Sequence, residues 1–160
     1  MIIKSLTGLH GLNWLGDEVL IKVSMIIFMT WKGLGTSIIL CLAGLQNIPR
    51  DYYEAAMVDG ANGWQKFRNI TVPLLSPVTF YILITSLIGG FQVFVEVQVM
   101  TTNGGIGYSA ATMVFYLYEK AFKSFQLGYA SAIAVILAII IFIITAINFA
   151  MQDKWVKTID

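Results

Sequence analysis

Long apolar stretches constrain the fold of this chain more than any other feature, and the last of them runs from Ile133 to Ile147 without a charged side chain. Hydrophobic residues make up 58% of the sequence and charged residues 12%, against roughly 45–50% and 25% in soluble domains. A helix needs about twenty apolar residues to cross the hydrocarbon core of a bilayer. We therefore predict an all-α membrane protein with spans over about 20–45, 74–99 and 127–149.

The rest of the composition argues against several classes of function. A net charge of +1, with no block of basic residues, argues against a nucleic-acid partner. The single cysteine, Cys41, and the single histidine, His10, leave no cluster that could hold a metal ion. The glycines at 104–107 lack the strand and helix that flank a phosphate-binding loop. We expect neither an enzyme nor a cofactor bound by this chain.

The segment between the first two spans, residues 46–73, predicts two short helices joined by an elbow. Pro49 is placed to open the first helix, which continues to about Val58, and Gly60 is placed to end it with a left-handed turn. Asn62 and Gln65 have the spacing of a reciprocal cap for the second helix, which Pro73 would end. Compact helices of this kind between two spans have little reason to exist unless a partner docks on them.

The segment of residues 100–126, between the last two spans, has a pattern of its own. Thr102 to Gly105 form a turn, and a helix over about 111–125 would place four aromatic residues on one face: Phe115, Tyr118, Phe122 and Phe125. Such a helix could lie along the membrane surface. Packing between the spans and contact with an external partner both remain open for it.

Basic residues near the ends of the spans predict the orientation, since they are enriched on the cytoplasmic side. The side of residues 46–73 and the C-terminus carries Arg50, Lys66, Arg68, Lys154 and Lys157, and the other side carries Lys4, Lys22, Lys120 and Lys123. This small excess favours a cytoplasmic location for the loop of residues 46–73 and for the C-terminus. Residues 1–19 and about 100–126 would then lie outside.

One motif in the loop is specific. Glu54-Ala55-Ala56 is followed after three residues by Gly60 and after nine more by Ile70-Thr71-Val72-Pro73. This spacing resembles the "EAA" signature of ATP-binding-cassette importer permeases, with Val72 in place of leucine. Further stretches resemble the carbohydrate-importing branch of that family, the maltose and glycerol-phosphate type: residues 13–17, 48–49, 59–61, 67–75, 102–105 and 125–132.

The resemblance implies a type I ABC importer permease fold in the bacterial cytoplasmic (inner) membrane, of which this chain would be the C-terminal half. The loop would be a pair of coupling helices that dock on a cytoplasmic ABC ATPase dimer, and ATP with Mg²⁺ would be bound in that partner. A second permease subunit and an extracytoplasmic sugar-binding protein would complete the system. The coupling residues carried over from the signature are Glu54, Ala55, Ala56, Asp59, Gly60, Ile70 and Pro73.

Alternatives to this function stay open. Taken alone, Glu54 fits an ordinary solvated loop helix as well as an acceptor for a partner's Arg or Lys. The chain could be a truncated, non-transporting remnant or a small membrane interaction protein. It could also be a permease for another solute, such as an amino acid or phosphate.

Two regions of the spans are candidates for a substrate path. Lys32 is a charge near the middle of the first span, where it needs water or a partner, and Gly33 beside it could open the backbone to a cavity. Gln92 and Phe94, after a flexible point at Gly90, offer the amide and aromatic surfaces that bind sugars. The alternatives are a structural ion pair with another helix for Lys32 and polar helix packing for the second region.

The path candidates also include Glu96, on the second span. At about 1.5 Å per residue along straight helices, Lys32 would lie about 18 Å below the outer surface and Glu96 about 5 Å below it. We therefore expect no direct pair between Lys32 and Glu96.

Overall fold

The computed structural model describes the backbone of residues 13–155 and the side chains of residues 13–152. In that part of the chain every regular element is helical, as the sequence predicts. The helices are α1 Leu20–Gln46, α2 Arg50–Val58, α3 Gly63–Leu74, α4 Ser76–Phe91, α5 Val95–Met100, α6 Met113–Tyr118 and α7 Leu127–Trp155. Within the described residues the chain divides into two compact units: residues 13–32 with 91–137, and residues 33–90 with 138–155.

The helices long and apolar enough to cross a membrane are α1 and α7, the latter over Leu127–Gln152. A third candidate is the pair α3 and α4, which is bent by 56° where the two helices meet. The described residues therefore give two apolar spans, or three if the bent pair counts as one span. Both long helices begin within a residue of the predicted start of their span.

The second predicted span, 74–99, is wrong as a single continuous helix. It is interrupted at residues 92–94, which we call the helix break, and α5 follows as a separate element. Two poor helix formers, Gly89 and Gly90, immediately precede the end of α4. Beyond it the Thr112 hydroxyl donates to the carbonyl of Val93 at 2.5 Å, so a backbone group released by the break has a partner.

The first unit has a small apolar core. Ile21 and Met25, one turn apart on α1, are buried in it together with Val93, Val97 and Phe115. Phe115 and Val97 are almost fully enclosed, at 1% and 0% exposure. The core thus joins the start of α1 to the helix break, α5 and α6.

The predicted helix over 111–125 is present with shorter bounds. It begins after Thr112, whose hydroxyl accepts from the Phe115 amide, and continues beyond α6 as a π-helical turn over Glu119–Lys123. The prediction that the four aromatic residues share one helix face is wrong, because Phe115 is buried whereas Phe122 and Phe125 are 62% and 82% exposed. Phe125 lies past the end of the helix with φ of +54°.

A buried carboxylate in the same unit has two partners. Glu119 is 9% exposed and accepts hydrogen bonds from the Tyr108 hydroxyl and from the Lys123 ammonium, the latter at 2.7 Å. Lys123 also lies 3.4 Å from the Asn103 side-chain oxygen. The turn that follows α5 is therefore tied to the last turn of the α6 segment.

The second unit depends on one close approach between helices. A Cβ built on Gly44 of α1 would lie 2.7 Å from a methyl carbon of Val78 on α4, so only glycine permits this contact. Nearby in the unit, Phe80 of α4 meets Phe149 of α7 edge to face, with ring centroids 5.5 Å apart. This packing anchors α4 directly after the two short helices of the loop.

Candidate functional site

The first short helix of the loop, α2, carries the start of the signature and ends as the sequence predicts. Gly60 has φ of +75°, which favours glycine. The Ala61 amide donates to the Ala56 carbonyl at 2.9 Å and the Gly60 amide donates to the Met57 carbonyl at 3.1 Å, which together form a Schellman motif. No side chain crowds Gly60, so the backbone conformation is what requires glycine there.

The second short helix, α3, begins with the predicted reciprocal cap. The Gln65 amide donates to the Asn62 side chain at 2.9 Å, and the Asn62 amide donates to the Gln65 side chain at 2.8 Å. Both contacts of a capping box are therefore present, which confirms the prediction. The turn at Gly60 and this cap define the elbow between α2 and α3.

The end of α3 differs slightly from the prediction, because the helix passes through Pro73 and ends at Leu74. Residues Phe67–Thr71 form a π-helical turn, in which the Val72 amide donates to the Phe67 carbonyl. Proline has no amide hydrogen and its ring crowds the carbonyl four residues earlier. A π turn just before Pro73 is one way for a helix to accommodate that change of pairing.

The signature residues of α2 are accessible to a partner. Glu54, Ala55, Asp59 and Gly60 are exposed, while Ala56, Ile70 and Pro73 are partly buried. Among the side chains of residues 13–152, Glu54 has no ion-pair partner. The structure thus brings together an unpaired carboxylate, two small residues and a turn on one short helix.

Large apolar side chains of the loop are also exposed, and four of them, on either side of Gly60 in the sequence, are not among the predicted coupling residues. Met57 and Val58 on α2 are 54% and 89% exposed, and Trp64 and Phe67 on α3 are 68% and 49% exposed. The Trp64 and Phe67 rings stack with centroids 5.6 Å apart. The signal was available as apolar residues in an otherwise polar loop. We call these four residues together with Glu54 the docking surface, after the role proposed for them below.

The expectation that Lys32 and Glu96 do not pair is wrong. The Lys32 ammonium donates to a Glu96 carboxylate oxygen at 2.7 Å. The two side chains are 64% and 12% exposed, so the carboxylate is the more enclosed partner. The prediction assumed one straight helix through residue 99, whereas the helix break places Glu96 in the first turn of a separate helix, α5.

The remaining path candidates are only partly brought together. In the first unit, Gln92 is exposed within the helix break, and the Phe94 ring lies 4.7 Å from the Tyr118 ring, centroid to centroid. Gly33 and Gly90 belong to the second unit, and open space surrounds the Cβ position of each. The unit that holds the ion pair therefore also holds the amide and the aromatic side chain.

Comparison with known proteins defines the class. The family described as the inner membrane component of binding-protein-dependent transport systems matches residues 1–157. The chain belongs to this family, which confirms the resemblance to ATP-binding-cassette importer permeases. An inner-membrane transport component is consistent with the apolar helices described above.

The curated relatives include several sugar permeases. The chain is 40% identical over 148 residues to the arabinooligosaccharide transport permease AraP of Bacillus subtilis, covering 92% of this chain and 47% of AraP. It is 36% identical over 140 residues to the lactose permease LacF of Rhizobium radiobacter, covering 86% and 47%. It is 35% identical over 145 residues to the trehalose/maltose permease MalF of Thermococcus litoralis, covering 91% and 48%. The chain therefore spans about half the length of the curated relatives it matches.

A solved structure shares the fold. It is a bacterial ABC transporter involved in the import of the acidic polysaccharide alginate, with a TM-score of 0.84 and 24% sequence identity. The match covers 98% of this chain and 55% of that one. The arrangement of helices described here is thus that of an ABC importer permease.

Proposed function

We propose that this chain belongs to the permease of an ATP-driven sugar importer in the bacterial cytoplasmic membrane. The observation that carries the proposal is the docking surface, an exposed group of apolar residues and one carboxylate on two short helices, the first ended by the turn at Gly60 and the second begun by a capping box. Family membership and the sugar permeases among the relatives support it. Its relatives are transport permeases, so we assign ATP hydrolysis to a partner subunit.

The docking surface would bind a cytoplasmic ABC ATPase dimer that holds ATP and Mg²⁺. The Glu54 carboxylate is available to a partner's Arg or Lys, while Ala55 lets a backbone approach closely. The apolar side chains Val58 and Trp64 would be removed from water on docking, which gives the contact its driving force. Closure of the ATPase on ATP would then move the two short helices and, through Leu74, the start of α4.

The orientation follows from this assignment. A loop that binds a cytoplasmic ATPase must itself be cytoplasmic, so α1 and α4 approach the cytoplasm at their ends nearest the loop. The C-terminal end of α7 would lie on the same side, in agreement with the basic residues counted above. The segment of residues 100–126 would face outward, toward an extracytoplasmic sugar-binding protein.

The substrate path is assigned to the region of the ion pair and the helix break. Lys32 and Glu96 together carry no net charge, which lowers the cost of placing both at membrane depth. Gln92 and Phe94 would contact a sugar's hydroxyls and its apolar ring face. Gly33 and Gly90 would let the adjoining backbone bend as the path opens and closes. A second permease subunit would supply the facing side of the path.

Substitution of two signature residues, one on α2 and one in the turn after it, tests the docking assignment. Glu54→Arg and Gly60→Asp, introduced into a permease that carries this chain, should abolish uptake of radiolabelled arabinotriose, lactose or maltose and reduce co-purification of the ATPase. Asp51→Arg is the matched control, because Asp51 is an exposed acid on the same helix outside the signature. Membrane abundance is measured for each variant.

The outcomes separate the proposal from its alternatives. Unchanged uptake and unchanged ATPase binding in Glu54→Arg would refute the docking assignment. A wild-type chain that inserts in the membrane but binds no ATPase would indicate a remnant or an interaction protein. Uptake of glutamine or phosphate in place of the three sugars would indicate a permease for another solute.

A further inference from the structure

One threonine in the loop uses its side chain differently from three hydroxyl residues of the long helices α1 and α7. Thr30, Ser37 and Ser131 each donate to the carbonyl four residues earlier in their own helix. The Thr71 hydroxyl instead lies 2.9 Å from the Tyr53 hydroxyl, and both residues are partly buried. The bond therefore connects two different helices, α2 and α3.

The position of this bond within the loop is informative. Tyr53 directly precedes Glu54 at the start of the signature, and Thr71 occupies the position between Ile70 and Val72 that the signature leaves open. The bond thus joins the two ends of the signature directly, across the elbow at residues 59–62. We call the Tyr53–Thr71 bond the hydroxyl bridge.

The hydroxyl bridge also lies where the backbone hydrogen bonds of α3 depart from the α-helical pattern. Thr71 is the last residue of the π-helical turn, and its carbonyl accepts from the Leu75 amide at 2.9 Å. The next residues, Val72 to Leu74, lead directly into α4. A displacement of α2 can therefore reach α4 through the hydroxyl bridge without passing along the elbow.

We propose that Tyr53 and Thr71 are positioning residues for energy coupling, because the hydroxyl bridge makes α2 and the end of α3 move as one body. The inference rests on the proposed function, in which α2 receives the motion of the ATPase. Neither residue has to touch the ATPase for this role. Loss of the bridge would leave docking intact and weaken the transfer of motion to α4.

The test uses the assembled importer in lipid nanodiscs, with ATP and vanadate as the probe. Hydrogen–deuterium exchange of residues 72–80 is measured with and without trapped nucleotide in wild type, Tyr53→Phe, Thr71→Val and the double variant. Thr71→Ser keeps the hydroxyl, and Tyr52→Phe alters an exposed neighbour on α2. ATPase affinity and thermal stability are recorded for every variant.

In wild type, Thr71→Ser and Tyr52→Phe, trapping should change the exchange of residues 72–80 to the same extent. In Tyr53→Phe and Thr71→Val that response should fall about fivefold. The net contribution of an ordinary hydrogen bond corresponds to a change of about fivefold in an equilibrium constant. The double variant should be no worse than either single variant, because both remove the same bond. ATPase affinity should stay at the wild-type value throughout.

Two results would overturn the inference. If both single variants keep the full response, the hydroxyl bridge does not transmit motion, while the docking assignment still stands. If they lose ATPase affinity in proportion to the response, Tyr53 and Thr71 build the docking surface itself. Failure of wild type to bind the ATPase would instead refute the proposed function, which separates the two claims.

Discussion

The loop of residues 46–73 and the helix break both interrupt the long apolar stretches of the chain, but several of their contacts differ in range. In the loop, the turn at Gly60 and the cap at Asn62 join residues a few positions apart. At the helix break, Lys32 pairs with Glu96 over 64 positions and Thr112 bonds to Val93 over 19. The turn and the cap of the loop are thus specified locally, although the Tyr53–Thr71 bond spans 18 positions, whereas the break depends on packing with distant residues.

The largest effect in this comparison is expected at the helix break. Glu96→Ala would leave the Lys32 ammonium without its charged partner, and a hydrogen bond between charged groups contributes about 2 kcal/mol. We expect unfolding free energy in detergent micelles to fall by about that amount. Glu18→Ala, at an exposed carboxylate, should have little effect.

A charge swap sharpens the same prediction. Lys32→Glu combined with Glu96→Lys should recover part of the stability lost in Glu96→Ala, because the pair is restored with reversed polarity. Equal stability of Glu96→Ala and wild type would show that the ion pair contributes nothing to the break.

This difference in range also explains what the sequence could reveal. The end of α2 and the capping box were predictable because each involves one glycine or one pair of nearby polar residues with strong positional preferences. The helix break was not predictable, since the apolar residues Val93, Val95 and Val97 continue the preceding run. The partners that stabilise the break, Thr112 and Lys32, come from other parts of the chain.

The candidate site follows the same rule. The signature located Glu54 and Gly60 correctly on a short exposed helix with a left-handed end. The bond between Tyr53 and Thr71 had no signal in the sequence, because hydroxyl side chains usually bond to their own helix. Pairing of Lys32 with Glu96 could not be deduced from helical rise once the helix was broken.

A smaller effect is expected at the locally specified turn of the loop, where two glycines provide a matched pair. Gly60→Ala forces a Cβ into a left-handed conformation and should destabilise the loop by about 1 kcal/mol. Gly63→Ala, in the first turn of α3 with open space around it, should be neutral or slightly stabilising. Amide exchange over residues 55–62 measures both, and equal rates in the two variants would contradict the local account.

The smallest effect is expected at the start of α1. The amides of Leu20 and Val19 donate to the Asp17 carboxylate at 2.9 Å each and hold the pKa of that carboxyl below its usual value. Because the folded pKa is depressed, this stabilisation is present above the ordinary pKa of 3.8 and is lost as the pH falls through the folded pKa.

Asp17→Asn keeps an acceptor for both amides but cannot titrate there. The difference in melting temperature between wild type and Asp17→Asn should therefore shift in favour of the variant as the pH is lowered from about 6 to about 3. This pH range includes the ordinary pKa of an aspartate. A difference that does not change with pH would show that this cap does not depend on its charge.

Site-specific photo-cross-linking tests the central claim most directly, because it compares the loop of residues 46–73 with the segment of residues 100–126 in one experiment. A photoreactive residue at Val58, which is 89% exposed on α2, should capture the ATPase subunit in the assembled importer, whereas the same residue at Phe125, 82% exposed, should not. Capture of the ATPase from Phe125, or from neither position in an active complex, would contradict the assignment of the docking surface.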